Sequence, residues 1–385
     1  MSDKAVLSLL CRYLSGSLNW NGLRNSTRDA GEVAAISTTH GLDALLFNCL
    51  HKESDGSAKD IRGLLKAIAL EQTKRSLVQQ ADTYALAELL SENHIPFLLI
   101  KGAMLAHLYY PTLNLRPRAD TDIFIDEKNI VATHNLLCQA GYPSQQLVTP
   151  LCKGQYLATQ FNCYVVDKPG HSAFDMHWRI NNSTALGSLL SFDEVYASSI
   201  SAQGLGRGIR VPNTPYTLII ACIHWTGEPS KKLIWLHDIH VLNKTMESSN
   251  WEYVVDFAIK RKCISIISDV LEQTKRRFGT VFPPEILERL DRAQAGRPRE
   301  RLQLLTQTPV SPLRSRTVDF LTLNWRRRLP FLWTLCFPPI SYLALQKAAL
   351  GEISIGDQAL LYFTRPFRFL TRHFRPPLFP PSDPP

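Results

Sequence analysis

The sequence predicts an α+β fold: a small mixed sheet with its own helices, flanked by N-terminal and C-terminal helical regions. Three observations carry this. A long stretch before residue 95 keeps an apolar stripe at helical spacing. Short apolar runs at Phe97–Ile100 and Thr121–Ile125 break that period and have the length of strands. Helical stripes return after Thr214 and continue to Gly279. The division this implies is an N-terminal helical region at 1–94, an α/β core at 95–212, a helical domain at 213–300, and a basic, Pro-rich C-terminal region at 301–385.

Each element has its own signal. Ile61, Leu64, Leu65 and Ile68 recur at i, i+3, i+4 and i+7, and Leu77, Ala81, Ala85 and Leu89 then step by four. Side chains so spaced share one face of a helix. Ser54 to Ser57 reads as a loop before it. Phe97–Ile100 is continuously apolar, as a strand buried on both faces requires. Lys101-Gly102 turns into a helix over Ala103–Tyr110, which Pro111 stops. Thr121–Ile125 is a second strand, with Thr121, Ile123 and Ile125 on one side, and Glu127–Ala140 a helix closed by Gly141. Tyr156–Val166 and Ser172–Trp178 flank Asp167-Lys168-Pro169-Gly170 and read as an antiparallel hairpin. Thr214 is the expected cap of the next helix, with Pro215 in its first turn, Leu218, Ala221, Cys222 and Trp225 on its stripe and Gly227 at its end. Leu233–Leu242 is a further helix. Asn250 is the expected cap of the one carrying Trp251, Val254, Val255 and Ala258. Ile264, Ile267 and Leu271 mark another, ending at Gly279.

Hydrophobic residues make up 45% and charged residues 20%, the proportions of a folded chain rather than a disordered one. Lys plus Arg exceed Asp plus Glu by 43 to 34, and the resulting +9 suits an anionic ligand, nucleic acid or an acidic membrane surface. The eight cysteines form no CxxC pair, which argues against zinc and for a reducing compartment without a disulfide framework. Met1-Ser2-Asp3-Lys4 opens no apolar leader. Leu329–Leu345 is apolar, but Pro330, Pro338 and Pro339 make it a poor membrane span. The expectation is a cytoplasmic protein with peripheral membrane contact at most. That contact would come from the basic C-terminal region, where Arg326-Arg327-Arg328, Arg365, Arg368, Arg372 and Arg375 alternate with Phe363, Phe367, Phe369 and Phe374. Docking of those Phe residues onto the body fits the pattern equally well. The final ten residues are expected to be disordered.

The chemistry points to the acids. Asp120 and Asp122 are i and i+2, so on a strand they share a face. Two facing carboxylates repel unless a cation sits between them, and Mg²⁺ is commonly held by one or two carboxylates plus substrate phosphates. Asp175, on the strand Ser172–Trp178, is the candidate third acid of a two-metal site. Lys101-Gly102 stands where a strand meets a helix, a place where backbone amides can approach a phosphate and Lys101 can add a positive charge. Arg116 and Arg118 precede the acids and suit a triphosphate; Pro117 gives Arg116 the defined setting. His177, His224 and Asp238 are weaker candidates for the acceptor side or for supporting contacts. GxxxxGK followed by Ser or Thr is absent, as are GxGxxG and any recognisable Ser-His-Asp signature.

Leu99-Ile100-Lys101-Gly102-Ala103-Met104-Leu105-Ala106, Tyr109-Tyr110-Pro111, Arg116-Pro117 and Asp120-Thr121-Asp122-Ile123 together resemble the uncharacterised nucleotidyltransferase family, of the DNA polymerase β-like superfamily. Asp175-Met176-His177-Trp178, His224 and the run Lys232 to Asp238 also look like its pattern. The resemblance extends over about residues 5 to 372 and is specific at 98–125 and 174–178. It implies a polymerase β-like core, with Lys101, Gly102, Ala103 and Arg116 at the nucleotide, and Asp120, Asp122 and Asp175 as catalytic metal ligands. It also implies a Mg²⁺-dependent transfer of a nucleoside monophosphate from an NTP to an acceptor hydroxyl, with pyrophosphate released. Family members are often found near polysaccharide and peptide-modification genes, so sugar, protein or another hydroxyl are all open as acceptors, and nucleic acid is less favoured. Ala103 stands where the superfamily has Gly or Ser, and the gap from turn to acids is longer than usual. The alternative reading is therefore a catalytically weak or inactive module that binds a nucleotide or a partner.

Overall fold

The computed structural model describes residues 3–26, 29–53, 56, 58–142, 163–166, 170–206, 208–295, 300–306 and 312–336. The chain begins with four short helices, α1 (Asp3–Leu14), α2 (Trp20–Ser26), α3 (Ala30–Thr39) and α4 (Asp43–Leu50), and the long α5 (Lys59–Glu92). α5 runs for 34 residues, about 50 Å at the α-helical rise.

The expected stripe of α5 holds only in part. Ile61 and Leu65 are buried, but Leu64 is 51% and Leu77 60% exposed, and Ala81 and Ala85 also face solvent. The buried face of the second half is Ser76, Gln79, Asp82, Thr83, Leu86 and Leu90. That face is polar because it packs beside the functional cleft described below, so hydrophobic spacing alone selected the wrong side.

A four-stranded sheet follows, with β1 (Phe97–Leu99), β2 (Asp120–Ile125), β3 (Cys163–Val166) and β4 (Ala173–His177) in the order β1-β2-β4-β3. β1 pairs antiparallel with β2, β2 parallel with β4, and β4 antiparallel with β3, as the hairpin reading requires. The helix α6 (Lys101–Leu108) leaves β1 directly, and α7 (Ile130–Gln139) leaves β2 through a short 3-10 turn. The sheet is mixed and helices cover it, so the fold is α+β. Phe174 and Met176 of β4 and Ile123 of β2 are fully buried or nearly so on one face. Alternation then directs Asp120, Asp122, Asp175 and His177 to the other.

Beyond β4 come the short α8 (Thr184–Gly187) and α9 (Phe192–Ala197), and a two-strand ribbon, β5 (Ile200–Ser201) with β6 (Arg210–Val211). Five helices then follow: α10 (Thr214–Gly227), α11 (Leu233–Asn243), α12 (Ser248–Arg261), α13 (Ile264–Phe278) and α14 (Pro284–Ala295). Two caps differ from the sequence reading. Asn213, not Thr214, accepts from the Tyr216 amide, and α12 starts at Ser248, so Asn250 lies inside it. Gly279 closes α13 in the left-handed region at φ +64°, a conformation glycine adopts without a Cβ clash. α15 (Pro312–Thr322) and α16 (Trp325–Cys336) complete the described chain.

Buried apolar side chains from Val6 to Val318 form one continuous cluster, joining the N-terminal helices, the sheet and α10–α15. Among the described residues no helix is long and apolar enough to cross a membrane. The basic-aromatic stretch from Phe363 to Arg375 and the Pro-rich end lie outside the described residues, as do Tyr156 and parts of the Ser54–Ser57 and Asp167–Gly170 segments.

Candidate active site

The site is built by strand register. Asp122 of β2 stands directly opposite Asp175 of β4, and Phe124 opposite His177. Parallel pairing in register puts the two carboxylates on one face, with His177 two residues beyond Asp175 on the same side. The His177 Nε2 lies 2.9 Å from the Asp122 Oδ1 and 3.0 Å from the Asp175 Oδ2. The Lys101 Nζ donates to the same Asp122 oxygen at 2.7 Å and lies 3.1 Å from the His177 Nε2. One ligand atom each from Asp122, Asp175 and His177 lies within 4.8 Å of the others, a spacing that can hold a metal ion. The Asp175 Oδ1 is buried and makes no hydrogen bond.

The electrostatics follow from this crowding. Burial alone would raise the Asp122 carboxyl, but Lys101 and His177 outweigh it and hold the group far below the usual carboxylate range. His177 is pulled the other way: burial and Lys101 disfavour its proton, and Asp175 and Asp122 more than restore it, so its pKa is raised. Asp120 has no ion-pair partner among the described residues, and Lys101 and His177 act on it too weakly to hold it down. Burial, then repulsion from Asp122 and Asp175, pushes it up to about 6. An acid so displaced beside two others is a site waiting for positive charge.

Lys101 reaches Asp122 through a local distortion. It sits at φ +52°, a left-handed conformation that costs a non-glycine residue about 1–2 kcal/mol. The sequence reading assigns the turn's special geometry to Gly102; the structure places it one residue earlier. The Ile100 amide donates to the Asp122 carbonyl at 3.1 Å, tying the turn to β2. A Cβ on Gly102 would stand 3.4 Å from the Arg116 Nη1 and from the Arg118 Cβ, so the turn is closely lined by both arginines. Ala103 is buried in the apolar core, its methyl group packed there.

Arg116 is fully enclosed. Its Nε donates to both oxygens of Asp238 at 2.8 and 3.0 Å, its Nη2 to the Asp238 Oδ2 at 2.7 Å, and its Nη1 to the Pro117 carbonyl at 2.8 Å. The Tyr110 hydroxyl donates to Asp238 at 2.7 Å. Arg116 lines the cleft, but a phosphate contact there would have to compete with this network. His224 of α10 is half-buried, edge-on to Trp235 at 4.5 Å between ring centres, and 4.0 Å from Glu228. Burial, then Lys101, lowers its pKa well below the ordinary value and leaves it neutral.

These groups line a cleft of about 420 Å³. α5 forms one wall with Gln72, Arg75, Ser76 and Gln79. The strands and the turn form the floor with Lys101, Gly102, Asp120, Asp122 and Asp175. α10 and α11 supply His224, Glu228, Ile234 and Trp235. Sequence reasoning placed the three acids, the turn and His224 together. It missed His177 as a partner of both acids, although its position two residues after Asp175 was the signal. It also missed the polar face of α5 and Glu228, for which spacing gave none.

A family model described as an uncharacterised nucleotidyltransferase matches residues 26–279, which includes the sheet and both walls of the cleft. The chain belongs to that family. No curated protein and no solved structure matches the chain.

Proposed function

We propose that the protein is a Mg²⁺-dependent nucleotidyltransferase on a polymerase β-like core, moving a nucleoside monophosphate from an NTP to an acceptor hydroxyl. The observation that carries this reading is the registered pair Asp122 and Asp175, facing a cleft beside the Lys101-Gly102 turn. The residues fit a divalent ion: two opposed carboxylates, an Asp175 oxygen without a partner, and Asp120 displaced upward by burial and by the repulsion of both. Asp120, Asp122 and Asp175 would hold the metal, and His177 supplies a nitrogen donor that would suit Mn²⁺ better than Mg²⁺. The bound ion would supply charge neutralisation along the triphosphate and at the acceptor oxygen.

The chain's own groups do the rest. Gly102 lets the backbone approach the phosphates, and Lys101 contributes its charge once Asp122 is otherwise engaged. The acceptor oxygen attacks the α-phosphorus in line; the new O–P bond forms as the bond to the β-phosphate oxygen breaks. Asp175 is placed to take the acceptor proton. Such a step is accelerated mainly by positioning and by fixed charge. α5, α10 and α11 enclose the acceptor, and His224 and Glu228 line its side of the cleft.

The test is thermal unfolding with each of the four NTPs, with and without Mg²⁺, followed by an assay of pyrophosphate release. A ligand at a hundred times its dissociation constant adds about 2.7 kcal/mol. Stabilisation by an NTP that requires both the metal and Asp122, with product formed, supports the proposal; Asp122→Ala and Asp120→Ala should abolish turnover. Metal-dependent binding without product on any acceptor would favour the binding-module alternative, for which the Ala103 position speaks. Full turnover by both variants would sink the site assignment.

A further inference from the structure

Three cations stand nearest the carboxylates, and two of them have acidic partners. Lys101 is paired with Asp122, and Arg116 with Asp238. Arg118 has no acidic partner within ion-pair distance among the described residues. Its Nε and Nη1 are buried and make no hydrogen bond. Gln79 of α5 donates to the Arg118 carbonyl at 3.2 Å, which ties its backbone to that wall of the cleft. It lines the cleft between the Gly102 turn and Asp120.

This arrangement is unfavourable as it stands. A guanidinium carries five N–H donors, and those on the Arg118 Nε and Nη1 are shut off from water with no acceptor in place of it. The Arg116 charge next to it adds repulsion, which the more distant Asp122 and Asp120 offset only in part. A folded chain that keeps such a group at the floor of a cleft has a use for it when the cleft is filled.

We propose that Arg118 is the anion grip of the cleft, its guanidinium binding the β- and γ-phosphates of the donor. This rests on the nucleotidyltransferase reading above and deepens it, by naming the group that receives the leaving pyrophosphate. Arg118 lies on the turn side of the acids, so a chain of phosphates that has its α-phosphate at Asp120 and Asp122 would extend its remaining phosphates over Gly102 toward Arg118. As the bond between the α-phosphorus and the bridging oxygen breaks, negative charge accumulates on the pyrophosphate. A planar guanidinium partly shielded from water meets that charge more strongly than one in solvent. Arg116, by contrast, is a positioning residue that braces the loop through Asp238.

The experiment is calorimetric titration of the full chain with inorganic tripolyphosphate and with pyrophosphate in the presence of Mg²⁺, for wild type, Arg118→Met and Arg118→Lys. Thermal unfolding of each ligand-free variant and a Mn²⁺ titration followed by electron paramagnetic resonance accompany it. Wild type should bind both probes. Arg118→Met should bind them about 30-fold more weakly, the loss expected of charge-assisted hydrogen bonds. Its Mn²⁺ binding should be unchanged and its ligand-free Tm equal to or above that of wild type, because a half-buried cation with two unsatisfied nitrogens has been removed. Arg118→Lys should fall between. Equal probe affinity in Arg118→Met, or a fall in its ligand-free Tm, would overturn the assignment, as would absence of probe binding by wild type. Arg118-dependent probe binding in a protein that forms no product with any NTP would support this inference while sinking the transfer reading.

Discussion

At the scale of single residues, the buried charges divide into those that hold the structure and those held ready. The Arg116–Asp238 pair belongs to the first kind. Removing one member leaves the other charge buried and alone, so Asp238→Asn should cost about 3–5 kcal/mol in urea unfolding. Asp120 belongs to the second. Its folded pKa of about 6 lies above its ordinary value, so the folded state takes up its proton first. The stability it contributes is therefore present below about pH 4 and is lost as pH rises through about 6, to an upper figure of about 3 kcal/mol. Metal-free protein should lose stability across that window, Asp120→Asn should flatten the curve, and a divalent ion should reverse it. Unfolding midpoints measured from pH 4 to 7.5, with and without metal, check all three; a flat wild-type curve would refute the assignment. The acids themselves were legible in the sequence because strand alternation needs only the spacing of Asp120 and Asp122. The partners were not. Whether an arginine faces an aspartate more than a hundred positions away, as Arg116 does Asp238, depends on how α11 packs.

At the scale of elements, the sheet strands and most helix ends were readable, and the face of α5 was not. Local signals marked the former: the apolar run of β1 and the glycine after α13. The face of α5 depends on what lies opposite, and there it is a polar cleft wall. Two substitutions separate the two descriptions of that helix. Leu86→Ala removes a fully buried side chain and should cost about 2–5 kcal/mol. Leu77→Ser sits on an exposed position of the same helix and should stay within about 0.5 kcal/mol of wild type. Comparable losses from both, read from denaturation midpoints, would restore the apolar-stripe reading. Phe174→Ala on β4 should be among the costlier changes, about 3–5 kcal/mol, because it opens a void beneath the strand that carries Asp175 and His177.

At the scale of the whole molecule, the cleft exists because three regions meet: α5 from the N-terminal helices, the sheet and its turn, and the α10–α11 pair. Their apolar residues belong to one cluster. Loosening one wall should therefore loosen the others, and scanning calorimetry should show the described body unfolding in a single transition. A separate early transition removed by truncating the N-terminal helices would show instead that they melt alone. This convergence is not legible from local patterns, since contacts between distant segments leave none.

The parallel pairing of β2 with β4 also bears on how the chain reaches its folded state. β1 and β2 can find each other early, but Asp122 meets His177 only after the chain closes across 55 positions, and contacts so far apart form slowly. When β4 docks, it brings Asp175 against two carboxylates that are already in place. The charge arrangement that would later hold a cation is thus a barrier to assembly, and Asp175→Asn should refold faster than wild type in stopped-flow experiments, with the difference shrinking at high salt.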